Sequence, residues 1–202
     1  MVRVKICGIT SLADARTAID AGAFAIGLNF HPSSPRRVEI AQARAISDGL
    51  PSDIWRVGVF VDRDRGAIEQ IVREAGLTAL QFHGNETPEF CRGWDVPVIK
   101  VVRARVRSDV DRLRAYPVEL VLVDAYVEGT PGGTGERFDW SLLDGFERER
   151  LILSGGLNPD NVAEAVRTVG PWAVDVASGV ESRPGVKDPE KVKRFIRDAQ
   201  AA

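Results

Sequence analysis

The chain reads as an α/β protein, a single (β/α)8 TIM barrel spanning residues 1–202, on three observations. Eight short apolar runs rich in β-branched residues alternate with eight amphipathic stretches. Strand–helix alternation argues a parallel sheet, and eight repeats argue closure into a barrel. Glycine turns follow the seventh and eighth runs, where barrels of this kind bind phosphate. An open doubly wound sheet is the competing architecture, but the first run leads into Cys7-Gly8-Ile9, with no Gly-x-Gly-x-x-Gly fingerprint.

The expected strands are 2–6, 24–28, 55–61, 79–82, 96–102, 120–123, 151–153 and 173–176. The expected helices are 11–21, 39–49, 64–75, 87–93, 108–115, 139–148, 159–169 and 188–200. Capping residues or prolines mark many starts: Ser11, Thr87-Pro88, Ser108, Asn158-Pro159 and Asp188-Pro189. Glycines mark many stops: Gly22, Gly49, Gly76 and Gly170. The 202 residues leave little room for inserted domains, since this fold ordinarily takes ~250. The longest connection, 125–138, contains Gly129, Gly132, Gly133 and Gly135. It reads either as a functional loop, such as a lid, or as a solvated connection.

Bulk properties narrow the function classes. The apolar fraction is 44% and the net charge −2, from 27 basic and 29 acidic residues. That balance provides no global attraction to nucleic acid or to a membrane. Two cysteines make no disulfide framework, and metal-type Cys/His spacing is absent, so no metal is expected. There is no signal-peptide core and no apolar run of membrane-spanning length. A reducing cytoplasm is the expected setting.

Chemistry is expected at the C-terminal ends of the strands. Alternation places Arg3, Lys5 and Cys7 on one face of the first strand and Val2, Val4 and Ile6 on the other. The polar set should line the barrel, with Cys7 at its mouth. Lys5, two residues below, would promote ionisation of the thiol and make it a usable base. A small buried hydrophobe is the plainer role for a lone cysteine. Asp124 ends the sixth strand with the parity of Leu120 and Leu122. Burial there would raise its pKa and favour a proton-donating form. A structural carboxylate bonded to loop amides is the alternative.

Ser154-Gly155-Gly156 and Ser178-Gly179 follow the seventh and eighth strands and resemble a phosphate cradle. The two turns together are more specific than either alone. Arg36 lies in the loop after the second strand and can hold a carboxylate bidentately, or be a solvated arginine. Gln81 and His83 share a face at the end of the fourth strand, where His83 can titrate, bond a ligand or serve as a satisfied structural histidine. Asp175 points into the barrel from the eighth strand and can orient its neighbours. Cys91 falls in the fourth expected helix, where packing is its expected role.

Taken together, these residues resemble the phosphoribosylanthranilate isomerase family of tryptophan biosynthesis. The likeness runs through Lys5-Ile6-Cys7-Gly8-Ile9-Thr10, Ser34-Pro35-Arg36, Arg56-Val57-Gly58-Val59-Phe60 and Gln81-Phe82-His83-Gly84. It continues through Leu122-Val123-Asp124-Ala125, Gly132-Gly133-Thr134-Gly135 and Phe138-Asp139-Trp140. It ends in Leu153-Ser154-Gly155-Gly156-Leu157-Asn158-Pro159 and Asp175-Val176-Ala177-Ser178-Gly179-Val180-Glu181. Phe82 and Ala177 depart from the residues more usual in the family, leucine and serine.

The resemblance implies an Amadori rearrangement of N-(5-phosphoribosyl)anthranilate on a barrel that needs no cofactor. It implies Cys7 as general base, Asp124 as general acid, Arg36 on the anthranilate carboxylate, and phosphate at Gly155-Gly156 and Ser178-Gly179. The partner is then a small phosphorylated substrate, with the protein a monomer or homodimer. Two alternatives stand beside it. One is another phosphosugar Amadori isomerase, against which Cys7 argues, since the histidine-pathway enzymes use a carboxylate at the end of the first strand. The other is a non-catalytic metabolite-binding barrel, which would be expected to lose the acid, the base or the clamp.

Overall fold

A computed structural model describes residues 1–124 and 140–202. Eight parallel strands close into a barrel: β1 (Arg3–Ile6), β2 (Ala25–Asn29), β3 (Trp55–Phe60), β4 (Ala79–Phe82), β5 (Val98–Arg103), β6 (Leu120–Asp124), β7 (Leu151–Ser154) and β8 (Ala173–Val176). Each pairs with its sequence neighbours, and β1 pairs with β8 to close the ring. The (β/α)8 prediction holds, with strand ends within two residues of those expected.

Six helices lie among the described residues: α1 (Leu12–Asp20), α2 (Ile40–Asp48), α3 (Arg65–Ala75), α4 (Arg107–Arg112), α5 (Val162–Val169) and α6 (Pro189–Gln200). Ser11 caps α1 by accepting from the Asp14 amide at 3.1 Å. Asp188 caps α6, with Pro189 opening it. Gly76 and Gly170 end α3 and α5 in the left-handed conformation that glycine adopts without penalty.

The helix expected at 87–93 does not form. Thr87-Pro88 opens a turn instead, with Thr87 Oγ1 accepting from the Phe90 amide. Gly93, at φ +68°, and Pro97 leave too few residues to nucleate a helix. Side chains fill the space. Phe82, Phe90 and Trp94 pack with centroids 5.4–5.7 Å apart, and Arg65 lies 4.0 Å over Trp94. Cys91 is buried there, so its packing role stands without the helix.

Two other helices are also shorter than expected. The 108–115 stretch divides into α4 and a 3-10 turn at Leu113–Ala115. The 139–148 stretch contains a 3-10 turn at Trp140–Leu143, and another follows at Arg148–Arg150. The expected glycine-rich loop at 125–138 lies outside the described residues. A short hairpin, β9 (Glu181–Arg183) and β10 (Val186–Lys187), follows the barrel and is absent from the sequence reading. Among the described residues, no helix is long and apolar enough to cross a membrane.

Strand alternation divides the core. Val4 and Ile6 face the helices, while Ala25, Val57, Ile99, Val101, Leu122 and their neighbours fill the lumen. Lys5 is fully buried in that interior, as its parity predicts. At the N-terminal end Phe24, Trp55 and Trp172 stack against the lumen residues, with centroids 5.3–6.5 Å apart.

Behind β4 and β5 a buried ion pair stands near the missing helix. Lys100 Nζ donates to Glu86 Oε2 at 2.7 Å and to the Gly84 carbonyl at 2.7 Å. Glu86 accepts in turn from the Asp62 and Gly84 amides. This pair ties together the loops after β3 and β4. Glu86→Ala strands a buried ammonium and is expected to destabilise the fold by about 3–5 kcal/mol, measured by urea denaturation. A loss below about 1 kcal/mol would show that the pair does not support these loops.

Candidate active site

The C-terminal ends of the strands enclose a cavity of about 280 Å³. Cys7, Arg36, Gln81, His83, Asp124, Asp175, Gly155, Gly156, Ser178 and Gly179 all line it. Lys5 lies underneath. The eleven sequence-predicted residues therefore converge on one mouth.

The floor is a charge pair. Lys5 Nζ donates to Asp175 Oδ1 at 2.6 Å, and Ser154 Oγ donates to Asp175 Oδ2 at 3.1 Å. Asp175 is thus held on both carboxylate oxygens, which fits the orienting role expected of it.

Cys7 stands above this pair. Burial pushes its thiol above the ordinary value, and Lys5 opposes the shift without reversing it. Lys5 thus acts in the expected direction, but burial outweighs it, and the expectation of a net lowered thiol is corrected. Desolvation disfavours the thiolate, and the Asp175 carboxylate beside Lys5 adds to that effect.

Asp124 behaves as expected. Burial, helped by the Asp175 charge and opposed by Arg103, raises its carboxyl to about 6. His83 moves the other way. Burial, helped by Arg103, lowers it to about 4, so the imidazole is neutral at physiological pH. Its Nε2 lies 3.7 Å from Asp124 Oδ2, too far for a hydrogen bond. His83 Nε2 and Gln81 Oε1 are buried, and among the described residues neither atom has a partner. Two unsatisfied polar atoms at a cavity wall suit a ligand with hydroxyl groups.

The phosphate-type turns meet face to face. Gly155 and Gly156 have φ of +86° and +66°. Gly179 sits so tightly that a Cβ there would lie 2.0 Å from the Leu157 carbonyl oxygen. The loops after β7 and β8 therefore cross backbone to backbone, which only glycine permits. Asn161, not Asn158-Pro159, immediately precedes α5, while Asn158 and Asn161 bond within the loop.

Arg36 is neither free nor simply solvated. Its Nε and Nη2 donate to Glu181 Oε1 and Oε2 at 2.8 and 2.7 Å. The aliphatic stem of Arg36 lies over Gly8, whose φ is +72°, and a Cβ there would collide with Arg36 Cδ. Burial raises the Glu181 carboxyl, but hydrogen bonds from Arg36 and Lys187 outweigh it and hold the group low. The sequence reading missed Glu181 and Lys187 as site-supporting residues. Their one signal was Glu181 at the end of the last shared motif.

A family model described as N-(5'phosphoribosyl)anthranilate (PRA) isomerase matches residues 4–198. The chain belongs to this family. It is 48% identical over 205 residues to the N-(5'-phosphoribosyl)anthranilate isomerase of Thiobacillus denitrificans, covering 100% of this chain and 99% of that protein. The phosphoribosyl anthranilate isomerase structure from Thermotoga maritima superposes with a TM-score of 0.92 at 43% identity, covering 100% of both chains. A second isomerase structure, in complex with reduced 1-(o-carboxyphenylamino)-1-deoxyribulose 5-phosphate, gives a TM-score of 0.88 at 41% identity with the same coverage. A barrel of this family therefore carries the mouth described above.

The crossing of the two glycine turns has a direct consequence. Gly179→Ala must push the loops after β7 and β8 apart. It is expected to raise the inhibition constant for inorganic phosphate at least about tenfold, with the fold retained by circular dichroism. An unchanged constant would remove the crossing from anion binding.

Proposed function

We propose that the mouth converts N-(5-phosphoribosyl)anthranilate to 1-(2-carboxyphenylamino)-1-deoxyribulose 5-phosphate, the family's step in tryptophan biosynthesis. Cys7 is the general base and Asp124 the general acid. The observation that carries the reading is a pair of ionisable groups lining one cavity from the ends of β1 and β6, with Asp124 raised to about 6 by burial. A carboxyl that keeps its proton nearer neutrality is a usable donor.

Asp124 delivers its proton to the furanose ring oxygen as the C1–O bond breaks. The anthranilate nitrogen lone pair forms the C1=N iminium. That cation acidifies the C2–H, and the Cys7 thiolate removes the proton. The electron pair flows to nitrogen and leaves an enolamine, which tautomerises to the ketone at C2. Because burial disfavours the Cys7 thiolate in the free protein, the iminium is the charge that favours it at the step where it acts. Lys5 and Asp175 fix the floor under the thiol.

The phosphate rests on the Gly155-Gly156 and Ser178-Gly179 turns, and Arg36 takes the ring carboxylate. Gln81 Oε1 and His83 Nε2 accept from the sugar hydroxyls, the role their unpartnered atoms support. Proton transfers alone complete this sequence, so the reading includes no cofactor, metal, nucleic acid or membrane. It places the chain in the cytoplasm, as a monomer or homodimer.

Loss of anthranilate-type fluorescence follows turnover. Cys7→Ser and Asp124→Asn are each expected to lower kcat about 10²–10⁴-fold with product-analogue binding retained. Wild-type rates persisting in either variant would exclude that residue from the acid–base pair.

The pH profile is a second test. The reactive form has Asp124 protonated and Cys7 ionised, the reverse of the dominant form between their pKa values. Its share rises with pH up to about 6, where Asp124 begins to ionise. It then stays level and falls above the raised thiol value. kcat/KM is expected to show both limbs, and a profile lacking either one contradicts the assignment.

A further inference from the structure

The clamp arginine is a paired one. Arg36 donates two hydrogen bonds to Glu181, and such a bidentate pair is electrically neutral. By itself it has little to offer an arriving anion. Glu181 fixes the guanidinium plane, yet its own charge repels the carboxylate that the plane is meant to receive.

A third charge resolves the conflict. Lys187 Nζ donates to Glu181 Oε1 at 2.9 Å, the oxygen that also accepts from Arg36 Nε, and to the Ala177 carbonyl at 3.1 Å. The Lys187 and Glu181 side chains are 0% and 4% exposed, whereas that of Arg36 is 23% exposed. Two positive groups and one negative group leave a single net positive charge. Only the arginine end of the chain opens on the mouth. Among the described residues, Arg36 Nη1 donates to nothing, so it remains for a ligand.

The scaffold is built to hold this geometry. Glu181 and Lys187 sit on the two strands of the β9–β10 hairpin. Thr10 donates to the Gly185 carbonyl, and the Lys187 amide donates to Asp14 Oδ2 at 3.3 Å. These bonds fasten the hairpin to the segment that follows Cys7.

We propose that Lys187 is a positioning residue for substrate selectivity: its buried charge offsets Glu181, so that Arg36 is both oriented and net positive toward a carboxylate on the substrate. The inference rests on the reading of Arg36 as the carboxylate clamp. In a site shielded from water the offset acts at short range and is little screened.

The test measures dissociation constants for two probes. One is reduced 1-(o-carboxyphenylamino)-1-deoxyribulose 5-phosphate, and the other is the same compound without the ring carboxylate. Lys187→Met is expected to weaken the first at least about tenfold and the second no more than about twofold. The charge-balanced variant Glu181→Gln/Lys187→Met is expected to restore the first to within about threefold of wild type. In turnover, Lys187→Met raises KM for the carboxylate-bearing substrate at least about tenfold.

Equal weakening of both probes, or a double variant no better than the single one, overturns the proposal and leaves Lys187 a purely structural cation. If Lys187→Met does not fold, Glu181→Gln alone decides. It removes the anion and keeps Lys187, so the preference for the carboxylate probe must hold or grow, and a fall overturns the proposal. Arg36→Met tests the clamp separately. If it keeps the full preference for the carboxylate probe, the clamp reading fails whatever Lys187 does.

Discussion

Lys5 and Asp175 meet across the seam where the first and last strands join, at paired positions in the β1–β8 register. Much of the mouth depends on that contact. Burying two charges is costly, and their attraction repays it only when the geometry is good and the remaining polar atoms are bonded. Here the separation is 2.6 Å, and Ser154 satisfies the second Asp175 oxygen. The pair closes the barrel, sets the floor of the cavity and places one charge of each sign below Cys7. Asp175 in turn helps to raise Asp124. The ion pair at the barrel seam thus also contributes, after burial, to the shifts of both ionisable groups.

The mouth separates its tasks by charge. The side bearing Gly155, Gly156 and Gly179 offers backbone amides at a tight crossing. The side bearing Arg36 offers a supported cation. Between them lie groups that burial has brought towards neutrality: a protonation-prone Asp124, an uncharged His83 and a thiol that resists ionisation. A supported cation at one edge, glycine turns at the other and near-neutral groups between them suit a small molecule with an anionic group at each end.

Much of this was legible in the sequence. Period-two alternation in β1 was enough to place Lys5 inside and Val4 outside, because a closed barrel leaves no third option. Asp124 was legible for the same reason, as an acid with lumen parity at a strand end. What escaped depended on three dimensions. The Cys7 thiol was expected to be lowered by Lys5. Sequence spacing shows the neighbour but neither the depth of burial nor the Asp175 carboxylate that occupies the lysine. Glu181 and Lys187 escaped because their partner, Arg36, lies about 150 residues away in the chain. The helix at 87–93 was expected from a proline start and a glycine stop, signals that also fit a turn when the interval is this short. An aromatic cluster took its place.

The Phe24, Trp55 and Trp172 stopper at the N-terminal end of the barrel is as far along the strands from Cys7 as the fold allows. It closes one end of the lumen with rings, while chemistry occupies the other. Packing at that end therefore draws on residues apart from the mouth, whereas the Lys5–Asp175 pair serves both. Substitutions that tighten or loosen the stopper can move the folding equilibrium without touching a group at the mouth. Such a chain can drift in stability, or be engineered for it, while its chemistry stays under separate selection.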